Sequence, residues 1–429
     1  MTDLGRYPTG LQPPDYTAHP YLDPDLPSSD PRLLRSLYRQ YLRIRGDDAS
    51  YNTFLNKLLR RSGVERPLQE NLREAREFLA ETGPYLHGLV ALLPPDVREP
   101  LSPLPDVEEC DDVRELLTMV FEGNDYRRVF EAQRKIYLSK LFFDVDHTWE
   151  IQRGLVHKRY FESLMDRHIL QHTESERNLD ICFNMHADGV AIEYTVGRTG
   201  PGQECWSFNA LDLAVPQDGT RTRLTIYFYS CRFKREVIPY QYQRGQEFYN
   251  LQPVEIWGRL KERRSGSIVS KMIRKHENNP RRISDILGAM FIVTDLAEVE
   301  RLKTILMDVF GGPLRFRQIT DTLTRSDDLS HLNPHADGGY KVFKCEVDVL
   351  YDGESAPEDP PYMFAVEIQI YTLESYLRTI HTAHYASHQQ FKRRQFLSGL
   401  LPYLFPAGIY GAETIRRCVT PGEPATPQV

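Results

Sequence analysis

Residues 364–372, Phe-Ala-Val-Glu-Ile-Gln-Ile-Tyr-Thr, set a carboxylate and an amide two positions apart, Glu367 and Gln369. Phe364, Val366, Ile368 and Ile370 alternate with them, the period of a strand with one face in a core. Both polar groups therefore project from the other face. A second carboxylate, Asp285, heads an apolar run from Ile286 to Val293. Between positions 259 and 282 stand nine basic side chains (Arg259, Lys261, Arg263, Arg264, Lys271, Arg274, Lys275, Arg281 and Arg282) against two acids, Glu262 and Glu277, in a chain whose net charge is -7. Cations around phosphates, one or two carboxylates for magnesium and a rigid seat for an attacking hydroxyl are what phosphoryl or pyrophosphoryl transfer asks of a protein. On spacing alone, a half-exposed strand, a turn-capping Asp and a solvated basic helix face explain the same residues.

The elements that must position these groups fall into an α+β order. Residues 1–29 are rich in Pro, Asp and Ser and read as a flexible arm. Asp30-Pro31 predicts a helix start, with the stripe Leu33, Leu34, Leu37, Tyr38, Tyr41 and Leu42 behind it. Further helices are expected over about 51–61, over about 67–82 with Pro84 ending the run, and over about 112–173 with breaks near Gly123 and Asp144. The region 30–175 is thus helical. Residues 176–250 read as a small antiparallel sheet, with strands at 179–196, 205–215 and 222–237. From 251 to 395 the expected order is β-α-β-loop-β-β-α around a mixed sheet. Its helix is predicted at about 296–310, its strands at 284–293, 314–319, 340–350 and 364–372, and a closing helix from about 373 to 394. Residues 396–429, with Pro402, Pro406, Pro421, Pro424 and Pro427, read as a turn-rich tail.

Composition narrows the function classes. A net negative charge argues against coating nucleic acid by bulk charge. The six cysteines are scattered without a CxxC pair, so neither a zinc ribbon nor a disulfide framework is indicated, and free thiols in a cytoplasmic setting are expected. The start of the chain has no basic and apolar leader, and no apolar run approaches a membrane span. Asp144-Val145-Asp146-His147-Thr148 matches the Asp-x-Asp-x-Thr start of haloacid-dehalogenase-type phosphatases. A helix rather than a strand is expected before it, so it reads as a helix-ending turn.

Four motifs in order resemble the synthetase domain of RelA/SpoT proteins, which make guanosine tetra- and pentaphosphate. Gly258-Arg259-Leu260-Lys261 followed by Ser267-Ile268-Val269-Ser270-Lys271-Met272 is similar to that family's Gly-Arg-x-Lys and Ser-Ile-x-x-Lys-Met. Asp285-Ile286-Leu287-Gly288 resembles its Asp-Leu-x-Gly strand. Asn333-Pro334-His335-Ala336-Asp337-Gly338-Gly339-Tyr340 resembles its Asn-Pro-Lys-x-Asn-Gly-Tyr loop, and Val366–Thr372 its Val-Glu-Ile-Gln-Ile-Arg-Thr strand. His381, His384 and Tyr385 fall where the family carries a His and aromatics. The resemblance covers about residues 251–395, which implies a nucleotidyltransferase-like fold there.

The resemblance implies a pyrophosphokinase that moves the β,γ-pyrophosphate of ATP to a ribose 3′-hydroxyl, leaving AMP, with Mg2+ as the metal. Arg259, Lys261, Ser267, Lys271 and Arg274 would hold ATP. Asp285 and Glu367 would organise magnesium and the attacking hydroxyl, with Gln369 steadying the site. Tyr340 would stack on the acceptor base, and His335, Lys344, Tyr371 and His384 would complete the acceptor side. Four positions depart from the family pattern: Met290 and Tyr371 stand where it has Arg, Lys344 where it has His, and Val342 where it has Ser. An Arg fork is not replaced by Met or Tyr without loss of phosphate grip. GDP or GTP is the expected acceptor. The alternatives are the 3′ end of tRNA, as in toxin-like relatives, and a catalytically silent nucleotide-binding module. The chain lacks a His-Asp dipeptide, so a hydrolase domain is not expected. The N-terminal half is expected to serve as a surface for a protein partner.

Overall fold

The computed structural model describes residues 31–59, 66–185, 192–196, 204–217, 219–234, 265–283, 285–324, 341–352, 361–380 and 388–419. The arm at 1–29 lies outside them. The chain forms two compact units, each assembled from separate stretches. One comprises Met1–Thr148, Gly258–Arg282 and Lys392–Val429, the other Trp149–Trp257 and Ile283–Phe391.

The first unit is helical among its described residues. It opens with α1 (Pro31–Ile44), α2 (Asp48–Leu58), α3 (Leu68–Ala80), α4 (Thr82–Val90), α5 (Pro105–Glu109), α6 (Val113–Glu122) and α7 (Tyr126–Asp146). Pro84 does not end the helical run as expected. It sits in the first turn of α4, where its missing N–H has no intrahelical acceptor to serve. Asp112 and Asp125 cap α6 and α7 by accepting from backbone N–H groups one turn in. Helix α7 is buried on nearly all sides, so its charged residues need internal partners. Arg134 donates to the Leu404 carbonyl at 2.6 Å and to the Tyr410 hydroxyl at 2.8 Å, and that hydroxyl donates to Glu131 Oε1 at 2.9 Å.

Those partners come from the stretch expected to be a tail. After α8 (Trp149–His168) and α9 (Gly266–Arg274), and later in the chain α10 (Leu296–Phe310), α11 (Leu373–Ile380) and α12 (His388–Gly399), it forms α13 (Leu401–Leu404), α14 (Ala407–Tyr410) and α15 (Ala412–Val419). Leu404, Phe405 and Cys418 are fully buried. Pro402 stands in the first turn of α13 and Pro406 precedes α14 as its N-cap; Pro421, Pro424 and Pro427 lie outside the described residues.

The second unit is built on one eight-stranded mixed sheet, order β2-β1-β3-β4-β5-β8-β7-β6. The strands are β1 (Thr173–Met185), β2 (Ile192–Val196), β3 (Glu204–Gln217), β4 (Thr220–Phe233), β5 (Leu287–Val293), β6 (Phe316–Asp321), β7 (Phe343–Tyr351) and β8 (Tyr362–Thr372). Three expectations are corrected. Cys182, expected as a free thiol, is disulfide-bonded, whereas Cys231 and Cys345 are free and buried. The run 179–196, read as one strand, is two antiparallel strands, with Ile181 opposite Val196. The antiparallel sheet is not separate from the mixed sheet, because β4 pairs antiparallel with β5 from Ile226↔Val293 to Phe233↔Leu287. The reason is physical: β4 and β5 would each leave an unpaired row of backbone groups at the edge of a smaller sheet, and pairing with one another removes both edges.

Strand β5 pairs in parallel with β8, Gly288 opposite Glu367 through Val293 opposite Thr372. The apolar face of β8, Phe364, Val366, Ile368 and Ile370, is buried. Helices α8 and α10 cover this side: the His157 ring stacks on Phe364 with centroids 4.4 Å apart, and Phe161 of α8 stacks on Phe310 of α10 at 5.7 Å. Helix α10 occupies the span the sequence predicts. Asp295 caps it by accepting from Glu298 N, and Gly311 closes it in the left-handed region at φ 84°. The other face of β8 is left for Glu367, Gln369 and Tyr371.

Candidate active site

Residues opposite one another in neighbouring strands share a face, so the sheet registers define rows across that second face. One row runs Arg232, Gly288, Glu367, Glu346, Arg317 across β4, β5, β8, β7 and β6. The next runs Ser230, Met290, Gln369, Lys344, Thr320. A third holds Phe228, Ile292 and Tyr371. Its apolar end is closed by Leu373, Tyr376 and Leu377 of α11. The face thus grades from an apolar, helix-covered end to a charged row.

Glu367 is central to that row. It is 8% exposed and sits beside Gly288, which has no side chain to crowd it. Its Oε1 accepts from Gln369 Nε2 at 2.6 Å, and Gln369 Oε1 in turn accepts from the Tyr371 hydroxyl at 3.1 Å. Its Oε2 is in contact with the Lys344 ammonium. One strand therefore supplies a connected line, Tyr371 to Gln369 to Glu367, because residues two apart on a strand point the same way. Asp285, also 8% exposed, precedes β5 at the end of the sheet where Gly288 faces Glu367. Its Oδ2 is held by the Lys234 ammonium. The Lys234 amide continues the β4–β5 ladder by donating to the Ile286 carbonyl at 3.0 Å.

The sequence-predicted residues divide three ways. Glu367, Gln369, Lys344 and Tyr371 come together on one sheet face, and Asp285 stands at the entry to the neighbouring strand. Ser267, Lys271 and Arg274 lie on α9, which belongs to the first unit. Its apolar side (Ile268, Val269, Met272 and Ile273) is buried, and Ser270 on its polar side meets the Tyr85 hydroxyl at 2.8 Å. The N-terminus of α9 is fixed by Ser265 Oγ donating to Asp146 Oδ1 at 2.8 Å. Arg259, Lys261, His335, Tyr340 and His384 lie outside the described residues.

Three groups of this face escaped the sequence reading: Glu346, Lys234 and Arg232. Glu346, 3% exposed, is directly opposite Glu367. The alternation Phe343, Cys345, Val347, Val349 against Lys344, Glu346, Asp348 carries the same period-two signal that exposed Glu367. Lys234 and Arg232 carry no such signal, since only the β4–β5 pairing brings them here.

By donor type alone the two carboxylates suit magnesium; among the described residues no group of three or more His, Cys, Asp or Glu is placed to hold a metal ion. The two buried carboxylates, Asp285 just before β5 and Glu367 on the adjoining β8, offer hard oxygen ligands of the number that ion takes from proteins, and each holds a cationic partner in contact. A cysteine nucleophile does not fit. Cys345, on the opposite face, has its thiol pushed up to about 12, first by burial and then by the Glu367 charge. Asp144 and Asp146 lie at the end of α7, not at the end of a strand as the phosphatase motif requires.

No protein-family model and no curated protein matches the sequence. Among solved structures, the small alarmone synthetase 1 of Bacillus subtilis bound to its product pppGpp is 19% identical, with a TM-score of 0.22. The match covers 35% of this chain and 57% of that one, so the chain spans little over half of that relative's length. A GTP pyrophosphokinase family protein of Streptococcus pneumoniae is 16% identical over 46% of this chain and 81% of its own, with a TM-score of 0.22. A second structure of the Bacillus subtilis synthetase is 17% identical over 40% of this chain and 73% of that one, with a TM-score of 0.21.

Proposed function

We propose that the chain is a pyrophosphokinase that transfers the β,γ-pyrophosphate of ATP to a ribose 3′-hydroxyl, with GDP or GTP as acceptor. The observation that carries the reading is the parallel pairing of β5 with β8, which brings the strand entered through Asp285 beside the strand that bears Glu367, Gln369 and Tyr371. In this reaction the 3′-oxygen attacks the β-phosphorus, the bond from that phosphorus to the α–β bridging oxygen breaks, and AMP leaves with the bridging oxygen. Glu367 takes the hydroxyl proton. Gln369 fixes the Glu367 carboxylate, and Tyr371 fixes Gln369, so the base is held before substrate arrives. Asp285 and Glu367 would hold Mg2+, which when bound neutralises charge on the phosphates. Lys271, Arg274 and Ser267 of α9, with Arg259 and Lys261, are assigned to ATP; His335, Tyr340, Lys344 and His384 to the acceptor.

A second reading, nucleotide binding without turnover, is favoured by one feature: Tyr371, where the family pattern has Arg, donates to Gln369 and packs against Tyr376. It supplies no charge for an acceptor phosphate. Incubation with γ-labelled ATP, Mg2+ and, separately, GDP, GTP or deacylated tRNA decides between the two. Label on GDP or GTP is expected, and label on tRNA alone would move the acceptor assignment. Bound ATP with no labelled acceptor would overturn the pyrophosphokinase reading in favour of the silent module.

A further inference from the structure

Both carboxylates assigned to the metal carry a lysine, and the lysine on Glu367 is placed as a displaceable one. Lys344 stands on β7 in the row next to Glu367, diagonal to it and opposite Gln369. Its ammonium lies on Oε2 while Gln369 Nε2 lies on Oε1, so protein donors engage both oxygens of the carboxylate. The lysine side chain is nevertheless 38% exposed, against 10% for that of Glu367. The cation is at the wet end of the pair and the anion at the dry end. An ammonium so placed can leave its partner without crossing the core. Two residues further along β7, on the same face, Glu346 offers the departing ammonium a second buried carboxylate.

We propose that Lys344 is a tethered cation at Glu367, which a divalent ion must displace to reach that carboxylate. The proposal rests on the reading of Glu367 as a metal-binding carboxylate. An ammonium and a divalent ion cannot share one carboxylate without strong repulsion, so loading of the ion and release of Lys344 are one event. Lys344 then acts as a positioning residue: it keeps the Glu367 charge compensated in the unloaded protein and sets how tightly the ion is held. This differs from the acceptor-gripping role its place in the motif implies.

Direct Mn2+ binding to the full chain, read from the free-ion electron paramagnetic resonance signal, tests this without reference to turnover. Lys344→Gln is expected to bind Mn2+ at least tenfold more tightly than the unsubstituted chain. Lys344→Arg, which keeps the charge, is expected to bind as weakly as the unsubstituted chain, and Glu367→Gln in the Lys344→Gln background to remove the gain. Equal affinity of Lys344→Gln and the unsubstituted chain overturns the proposal. So does an equal gain in Lys344→Arg, a gain that survives Glu367→Gln, or an absence of Mn2+ binding in every variant. The function stands or falls separately: tighter Mn2+ binding without label transfer to any acceptor keeps the tethered cation and removes the pyrophosphokinase, and transfer with unchanged Mn2+ affinity does the reverse.

Discussion

On the proposed reading, Glu367→Gln separates catalysis from scaffolding at this site, because its two effects differ in size. The substitution keeps the shape of the side chain and deletes its charge. Breaking a fully buried ion pair from one side costs about 3–5 kcal/mol, because the partner is stranded. Here the partner is not stranded. Lys344 keeps 38% of its side-chain exposure, and Glu346 remains opposite on the same face. The expected loss of stability is therefore nearer that of a surface pair, about 1 kcal/mol. With a urea dependence of about 2 kcal/mol per molar, the unfolding midpoint moves by about 0.5 M. On the proposed reading, pyrophosphate transfer loses the group that takes the proton and should fall by about 10³-fold or more. Both are read on one preparation, urea unfolding by circular dichroism and label transfer from γ-labelled ATP. Activity within about tenfold of the unsubstituted chain would refute the assignment of Glu367 as base. A midpoint shift of about 2 M or more would show that the residue is a structural keystone and that the loss of activity follows from unfolding.

Three further outcomes follow from the second unit. Ile368→Ala, at a fully buried position on the apolar face of β8, should cost about 3–4 kcal/mol in urea unfolding; a loss under about 1 kcal/mol would mean that α8 and α10 do not seal this face. Gly154→Ala should lower the melting temperature, since a Cβ on α8 would stand 2.1 Å from Cε2 of the Phe233 ring, and accommodating it costs about 1–3 kcal/mol. An unchanged melting temperature would refute that close approach. His157, buried against Phe364 and bonded to the Tyr362 hydroxyl at 3.0 Å, is held down to about 4, by burial first and by Arg153 second. The folded ring stays neutral while the unfolded one takes up a proton below its ordinary value of about 6.5. Its contribution is thus intact above that value and is lost as pH falls towards 4. His157→Phe should flatten the acid side of the stability profile by about 1 kcal/mol at pH 5, the ring retaining some solvent screening; an unchanged slope between pH 7 and 5 would count against a neutral buried imidazole.

Much of the site's strand architecture was legible because it is local. The alternation around Glu367 fixes which residues share its face, whatever β8 pairs with. Helix α10 is legible from its apolar face, Val299, Leu302, Ile305, Leu306 and Val309. What the sequence withholds is partnership. Nothing in the run from Leu224 to Phe233 states that it pairs with Leu287–Val293, so the two sheets read as separate, and Lys234 could not be matched to Asp285. Glu346 was legible by the same period as Glu367 but had no neighbour until the β7–β8 register supplied one. The C-terminal stretch misled for a different reason. Its prolines signal turns, while the groups that bury it, Arg134 and Glu131, lie about 270 positions earlier in the chain.

The order of the sheet also governs how the protein comes into being. Among the described strands β8 is the last to be synthesised, yet it sits between β5 and β7 and is flanked on both sides by strands already made. The sheet cannot be completed by adding strands at an edge: β5 and β7 must wait with a gap between them, and the final strand enters as a wedge. Pairings this distant in sequence close slowly. Until they do, β5 and β7 hold open sides of the kind other chains can occupy. Glu367 arrives on that strand, so the row it shares with Gly288 and Glu346 is complete only once β8 has been made and paired.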